Sequence, residues 1–113
     1  MSVSNWNEFV DQTNLRMAAL RNEIPAQAKG FGELARVAMA PGALDTKTKE
    51  LIALGIGITA RCDGCIAFHV RAAVKQGATR KEICEAIGVA VYMGGGPSMI
   101  YGAEALKAYE ELS

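Results

Sequence analysis

Apolar residues return every third or fourth position along most of the chain, the period of helices that bury one face. Trp6, Phe9, Val10, Thr13, Met17 and Leu20 make the first such stripe, and Asn5 with Glu8 three residues on suits its capped start. Pro25 fits the first turn of a second helix, with Ala28, Phe31, Leu34, Ala35 and Ala38 as its stripe and Pro41-Gly42 as its end. Gly30 and Gly32 weaken that helix. Asp45 is an N-cap for a third, running to about Thr59. Leu51 to Ile58 is almost unbroken apolar sequence, which periodicity alone reads equally as a buried strand. Helical neighbours and the lack of a partner strand favour a helix, with Gly55 and Gly57 marking close approach by another helix.

Arg61-Cys62-Asp63-Gly64 reads as a break. A fourth helix follows from near Cys62 to Gln76, with Ile66, Val70, Ala73 and Val74 on one face and Gly77 as its stop. Thr79-Arg80-Lys81-Glu82 is a capping box opening a fifth helix, on which Ile83, Ile87, Ala90 and Val91 share a face. Gly94-Gly95-Gly96-Pro97 reads as a turn. The last helix starts near Ser98 and carries Met99, Ala103, Leu106 and Tyr109. The expectation is therefore an all-α fold of about six helices in a single domain, 1–113.

Half of the residues are hydrophobic, a high share for 113 residues. A domain this small has much surface for its volume, so part of that content is expected in a subunit interface, making the chain a homo-oligomer. Lys plus Arg and Asp plus Glu balance at 12 each, with no basic stripe, which argues against a nucleic-acid partner. No apolar run is long enough to span a bilayer. The polar stretch Met1 to Glu8 is unlike a signal peptide, and a cytoplasmic location is expected.

In a reducing compartment a close cysteine pair points to catalysis, redox chemistry or metal binding. Cys62 and Cys65 are three apart at a helix start, where both sulfurs face one side, and His69 follows Cys65 by one turn. Unpaired N–H groups at a helix start favour a thiolate, and a histidine one turn along can take or return its proton. These are the parts of a two-cysteine thiol catalyst. Two other readings remain open. The pair with His69 could be most of a zinc site, completed by Cys84, Glu50 or water, although no second ligand pair is present. General dithiol–disulfide exchange is the other, although the βαβ pattern of thioredoxin-like proteins is missing. His69, the only histidine, could instead be a partly buried packing residue. Cys84 is expected to be a buried small hydrophobe. Met93, Met99 and Tyr101 suit a core or subunit contact, and Phe68 with Tyr92 could wall an apolar pocket near the thiols.

Lys49-Glu50-Leu51-Ile52-Ala53-Leu54 followed by Cys62-x-x-Cys65-x-x-x-His69 resembles the alkylhydroperoxidase-D-like branch of the carboxymuconolactone decarboxylase superfamily. The Glu-to-Cys interval fits that family, and the likeness extends over roughly residues 25–112, including the Gly77-Ala78-Thr79 turn. The combined pattern is specific, whereas either half alone is weak. The resemblance implies a helical, disulfide-forming peroxidase assembled as a trimer or hexamer. Cys65 would be the peroxidatic cysteine, Cys62 would resolve it, and His69 with Glu50 would relay the proton. It implies a hydroperoxide substrate and a thiol or lipoyl-type reductant, with no cofactor and no metal. Without the resemblance, Glu50 reads only as an acidic residue favoured by the helix dipole in a first turn.

Two departures stand out. Better-characterised members carry a second histidine just before the second cysteine, where this chain has Gly64, implying a weaker relay or a different substrate. The chain is also a short, single-module version, without the contacts of extra helices. The lactone-decarboxylating branch generally lacks the cysteine pair, which ranks decarboxylation low. The competing functions are a lyase using Glu50 and His69, and a non-enzymatic oligomer that responds to oxidation.

Overall fold

Asn5, Asp45, Cys62 and Thr79 each cap the amide of the residue three positions on with their own side chains, and these four caps set where four of the helices begin. The computed structural model describes residues 3–113; Met1 and Ser2, at the head of the polar N-terminal stretch, lie outside it. The order is α1 (Trp6–Glu23), α2 (Pro25–Met39), α3 (Thr46–Thr59), α4 (Asp63–Lys75), α5 (Arg80–Gly94) and α6 (Gly96–Leu112). The described residues contain no strand, so Leu51–Ile58 is helical as expected.

The core lies where α3, α4, α5 and α6 meet, and α1 closes one side of it. Leu54 and Ile58 from α3, Ile66, Ala67 and Val70 from α4, Ile83 from α5, and Ala105 and Ala108 from α6 are fully enclosed. Trp6 seals the α1 side, edge-on to Phe9 with centroids 5.5 Å apart. Its backbone N–H donates to Oε1 of Glu111 at 2.7 Å, tying the first helix to the last. Truncating a side chain of this size in such a position costs about 3–5 kcal/mol.

The α3–α4 connection is tighter than the expected four-residue break. Cys62 N–H donates to the Gly57 carbonyl at 3.0 Å, and Arg61 N–H donates to that of Ile58 at 3.1 Å. This is a Schellman closure of α3. Its left-handed position is filled by Arg61 at φ 56°, where glycine is usual. The residue that completes this closure, Cys62, is also the N-cap of α4, so Gly64 lies inside α4.

Gly94-Gly95-Gly96-Pro97 is likewise shorter than a four-residue turn. Only Gly95 lies between α5 and α6, at φ 74° and ψ −151°, a conformation open essentially to glycine alone. This sharp reversal brings α6 close along α5, which changes the face that α6 buries. The apolar residues Met99, Ala103, Leu106 and Tyr109 suggest one stripe, but Ser98, Gly102, Ala105 and Ala108 occupy the interior. A Cβ at position 102 would lie 2.7 Å from the Ile87 methyl, so the close contact selects small residues and turns Met99 outward.

Gly57 meets the expectation of a close helix approach, since a Cβ there would stand 2.8 Å from the Cβ of Cys65. Gly55 does not; nothing lies within 4 Å of its Cβ position, which faces an open groove. Cys84 also departs from expectation, being exposed on α5 rather than buried. Among the described residues, no helix is long and apolar enough to cross a membrane.

Candidate functional site

α3 and α4 pack closely because Gly57 presents no side chain to Cys65. This contact fixes the register between a carboxylate on one helix and a cysteine–histidine pair on the other. Cys62 and Cys65 are joined as a disulfide at the head of α4, with Cα atoms 5.2 Å apart. The Cys65 N–H donates to the Cys62 sulfur at 3.1 Å. The N-cap role usually taken by an oxygen thus falls to a sulfur. An amide donor and the positive end of a helix both favour negative charge on that atom.

His69 lies one turn after Cys65 on α4, its side chain 33% exposed. Its Nδ1 is 2.7 Å from Oε1 of Glu50, whose side chain is only 10% exposed. Glu50 is the fifth residue of α3, beyond the first turn, so the dipole reading of this residue loses its footing. A carboxylate only accepts, so Nδ1 carries the hydrogen and Nε2 is the nitrogen left to take a proton. The pairing also gives the buried carboxylate the partner it requires.

The structure therefore brings all four expected residues, Glu50, Cys62, Cys65 and His69, to the α3–α4 packing seam. Cys84 is not among them. No group of three His, Cys, Asp or Glu side chains among the described residues is placed to hold a metal ion. Asp63, the first residue of α4, has its carboxyl pushed up by burial. The suggested Phe68–Tyr92 wall does not form. Tyr92 is 84% exposed on α5, while Phe68 packs at the edge of the core under the Arg71 guanidinium, 5.5 Å from its ring centroid. Sequence reasoning gave Gly57 a packing role but missed that its neighbour is Cys65. It also missed Arg61 as the strained residue before Cys62. The Cys62 cap was foreseeable only in outline, because a cysteine is not among the usual capping residues.

The model of the carboxymuconolactone decarboxylase family matches residues 25–108, a span that holds all four site residues. Among solved structures, a carboxymuconolactone decarboxylase family protein from Legionella pneumophila, in its apo form, is 48% identical with a TM-score of 0.92, covering 96% of both chains. A family member from Thermotoga maritima, for which a part in antioxidative response has been suggested, is 34% identical with a TM-score of 0.73, covering 86% of this chain and 89% of its own. An uncharacterised protein of Cupriavidus necator is 32% identical over 102 residues, 90% of each chain. The likeness seen in the Glu50, Cys62, Cys65 and His69 pattern thus extends to sequence, fold and length, and the chain belongs to the carboxymuconolactone decarboxylase family.

Proposed function

We propose that the chain is a thiol peroxidase that reduces organic hydroperoxides through Cys65 and Cys62. The observation that carries this reading is a cysteine pair joined at a helix start, one turn from a histidine held by a buried carboxylate. In the reduced protein, His69 Nε2 takes the proton of the Cys65 thiol, and Glu50 stabilises the imidazolium that results. The Cys65 thiolate attacks the terminal oxygen of the hydroperoxide. The O–O bond breaks, the alkoxide takes the proton from His69 and leaves as alcohol, and Cys65 becomes a sulfenic acid. Cys62, favoured as a thiolate by the Cys65 amide, attacks that sulfur. The S–O bond breaks, the departing hydroxide takes up the proton that the Cys62 thiol gave up and leaves as water, and the Cys62–Cys65 disulfide forms. A dithiol reductant, a protein thiol or a lipoyl-type group, returns two electrons and two protons by exchange.

The Thermotoga protein's suggested antioxidative part agrees with this reading. Glu50 and His69 could also serve an acid–base lyase with the sulfurs as bystanders, and one substitution separates the two. Consumption of cumene hydroperoxide with dihydrolipoamide as reductant is expected to be catalytic in the wild-type protein and lost in Cys65→Ala. A lyase would show no such consumption and would keep its activity after that substitution.

A further inference from the structure

The helix that carries the thiols has a second outward stripe. At about 100° per residue, Gly64, Phe68, Arg71 and Lys75 fall within roughly 60° of one another on α4, next to the stripe of Cys65 and His69. Arg71 and Lys75 are exposed. Side chains on a helix lean towards its N-terminus, so Phe68 and Arg71 reach back over the first turn, where the disulfide lies. The Arg71 guanidinium is held 5.5 Å from the Phe68 ring centroid, and Phe68 follows Cys65 by three residues, as a neighbour on the helix surface. Gly64 puts no atom in the way. Nothing lies within 4 Å of its Cβ position and its φ is not left-handed, so neither packing nor backbone conformation calls for glycine there.

The charge around this stripe has one sign. The ion pairs among the described residues use Arg36, Lys47, His69, Arg80 and Lys107, and none uses Arg61, Arg71 or Lys75. Arg61 is exposed and directly precedes Cys62 at the head of the same helix. The positive end of the α4 dipole adds to it. Asp63 is the only acidic residue of α4. It stands roughly 200° round the helix from Cys65, and burial pushes its carboxyl up, which weakens its negative charge. Glu50 is enclosed and engaged by His69.

The disulfide is the state that meets the reductant, so its surroundings are what a reductant encounters. We infer that the site is recharged by an anionic dithiol, one that bears a carboxylate, and that Arg71, helped by Lys75 and Arg61, selects it by charge. This rests on the reading of Cys62 and Cys65 as a redox pair. The carboxylate meets Arg71 while a thiolate of the reductant enters over Gly64 and attacks one sulfur. The Cys62–Cys65 bond breaks, and the other sulfur leaves as a thiolate and takes a proton. The second thiol of the reductant gives up its proton and attacks the mixed disulfide. That bond breaks, the remaining protein sulfur leaves and is protonated, and the reductant closes to its own disulfide. Two electrons and two protons pass to the protein.

The test is the rate at which the oxidised full chain regains thiols with dihydrolipoate and with dihydrolipoamide, which share one dithiol and differ in the carboxylate. Alkylation followed by intact mass reads the protein thiols with no peroxide present, and hydroxyethyl disulfide gives the intrinsic ratio of the two compounds. At low salt dihydrolipoate is expected to be faster by roughly 2–5-fold over that ratio, the worth of an exposed ion pair. The preference is expected to vanish at about 1 M salt, where the screening length is about 3 Å. Arg71→Lys should keep it and Arg71→Glu should remove or reverse it, both with unchanged helical circular dichroism. Should Arg71→Glu fail to fold, the salt dependence of the wild type decides alone. Equal rates in the wild type, a preference that salt leaves untouched, or one that Arg71→Glu retains overturns the inference and leaves the peroxidase reading standing. A disulfide that neither compound reduces overturns both.

Discussion

Nδ1 of His69 and Oε1 of Glu50 meet at 2.7 Å across the seam between α4 and α3, nineteen residues apart in sequence. The carboxylate is enclosed while the imidazole reaches partly into solvent, so the pair has a fixed end and a working end. In the proposed cycle Glu50 orients the ring and stabilises its cationic form. Glu50→Gln keeps an acceptor for Nδ1–H but removes the charge. Peroxide turnover is expected to fall by about 10–100-fold, as for other partners that orient a functional histidine. Steady-state consumption of cumene hydroperoxide, with circular dichroism to show an unchanged fold, checks this. Activity equal to wild type would remove Glu50 from the relay.

The contact of Gly57 with Cys65 predicts an asymmetry between glycines. Gly57→Ala would drive a Cβ to 2.8 Å from the Cys65 Cβ, and overpacking of this kind costs roughly 1–3 kcal/mol. Because the displaced residue is the proposed nucleophile, disulfide formation should slow as well. Gly88→Ala in α5 has nothing within 4 Å and should stabilise the helix by up to about 1 kcal/mol without changing the redox cycle. Thermal melts and the rate of thiol loss after peroxide addition read both effects. Equal behaviour of the two variants would contradict the positioning role of Gly57.

Arg61 predicts a gain. It holds φ 56° to complete the turn that carries α3 into Cys62, a conformation disfavoured by about 1–2 kcal/mol for a residue with a side chain. Glycine relieves that strain but is more flexible when unfolded, by about 0.4–1 kcal/mol. Arg61→Gly should therefore be more stable by up to about 1 kcal/mol, a rise of several degrees in Tm. A lower Tm would show that the Arg61 side chain contributes more than its backbone strain takes away.

Acid should loosen the ends of α3 and α5. The hydroxyl and then the amide of Thr48 hold the Asp45 carboxyl below its usual range. Lys47 first, and then the Thr79 amide, do the same for Glu82. A carboxyl lowered in the folded state binds protons more readily when unfolded, so its stabilisation is complete above the ordinary carboxylate range. It is lost as pH falls through the lowered folded values. Tm should decline on the acid side of that range, and Glu82→Gln should flatten part of the decline. An acid limb that Glu82→Gln leaves unchanged would rule out this source.

The sequence was most readable where local chemistry decides the structure. The Thr79–Glu82 capping box, the Asn5 and Asp45 caps and the Pro25 start form as expected because each is set by a few adjacent atoms. The cysteine–histidine register was readable for the same reason, being one helix turn. The pairing of His69 with Glu50 was not, since only tertiary packing joins two helices; family likeness supplied it. The face of α6 was misjudged because large apolar side chains usually mark the interior. Here Gly95 turns α6 close against α5, where a Cβ at Gly102 would meet Ile87, and the buried face of α6 is made of Ser98, Gly102, Ala105 and Ala108. Cys84 was misjudged for a related reason, as burial depends on which side of α5 faces α3 and α6. The stripe on α2 was correct as a pattern, yet a pattern does not say that the face is buried, and Phe31 and Leu34 are exposed.

The proposed chemistry rests on Cys62 and Cys65 exchanging two hydrogens for one hydroperoxide. The measurement is the intact mass of reduced protein after one equivalent of cumene hydroperoxide, followed by peptide mapping. Loss of two hydrogens at Cys62–Cys65, absent in Cys65→Ala and slowed in Glu50→Gln, is the result expected. An unchanged mass with both thiols free would contradict the peroxidase reading.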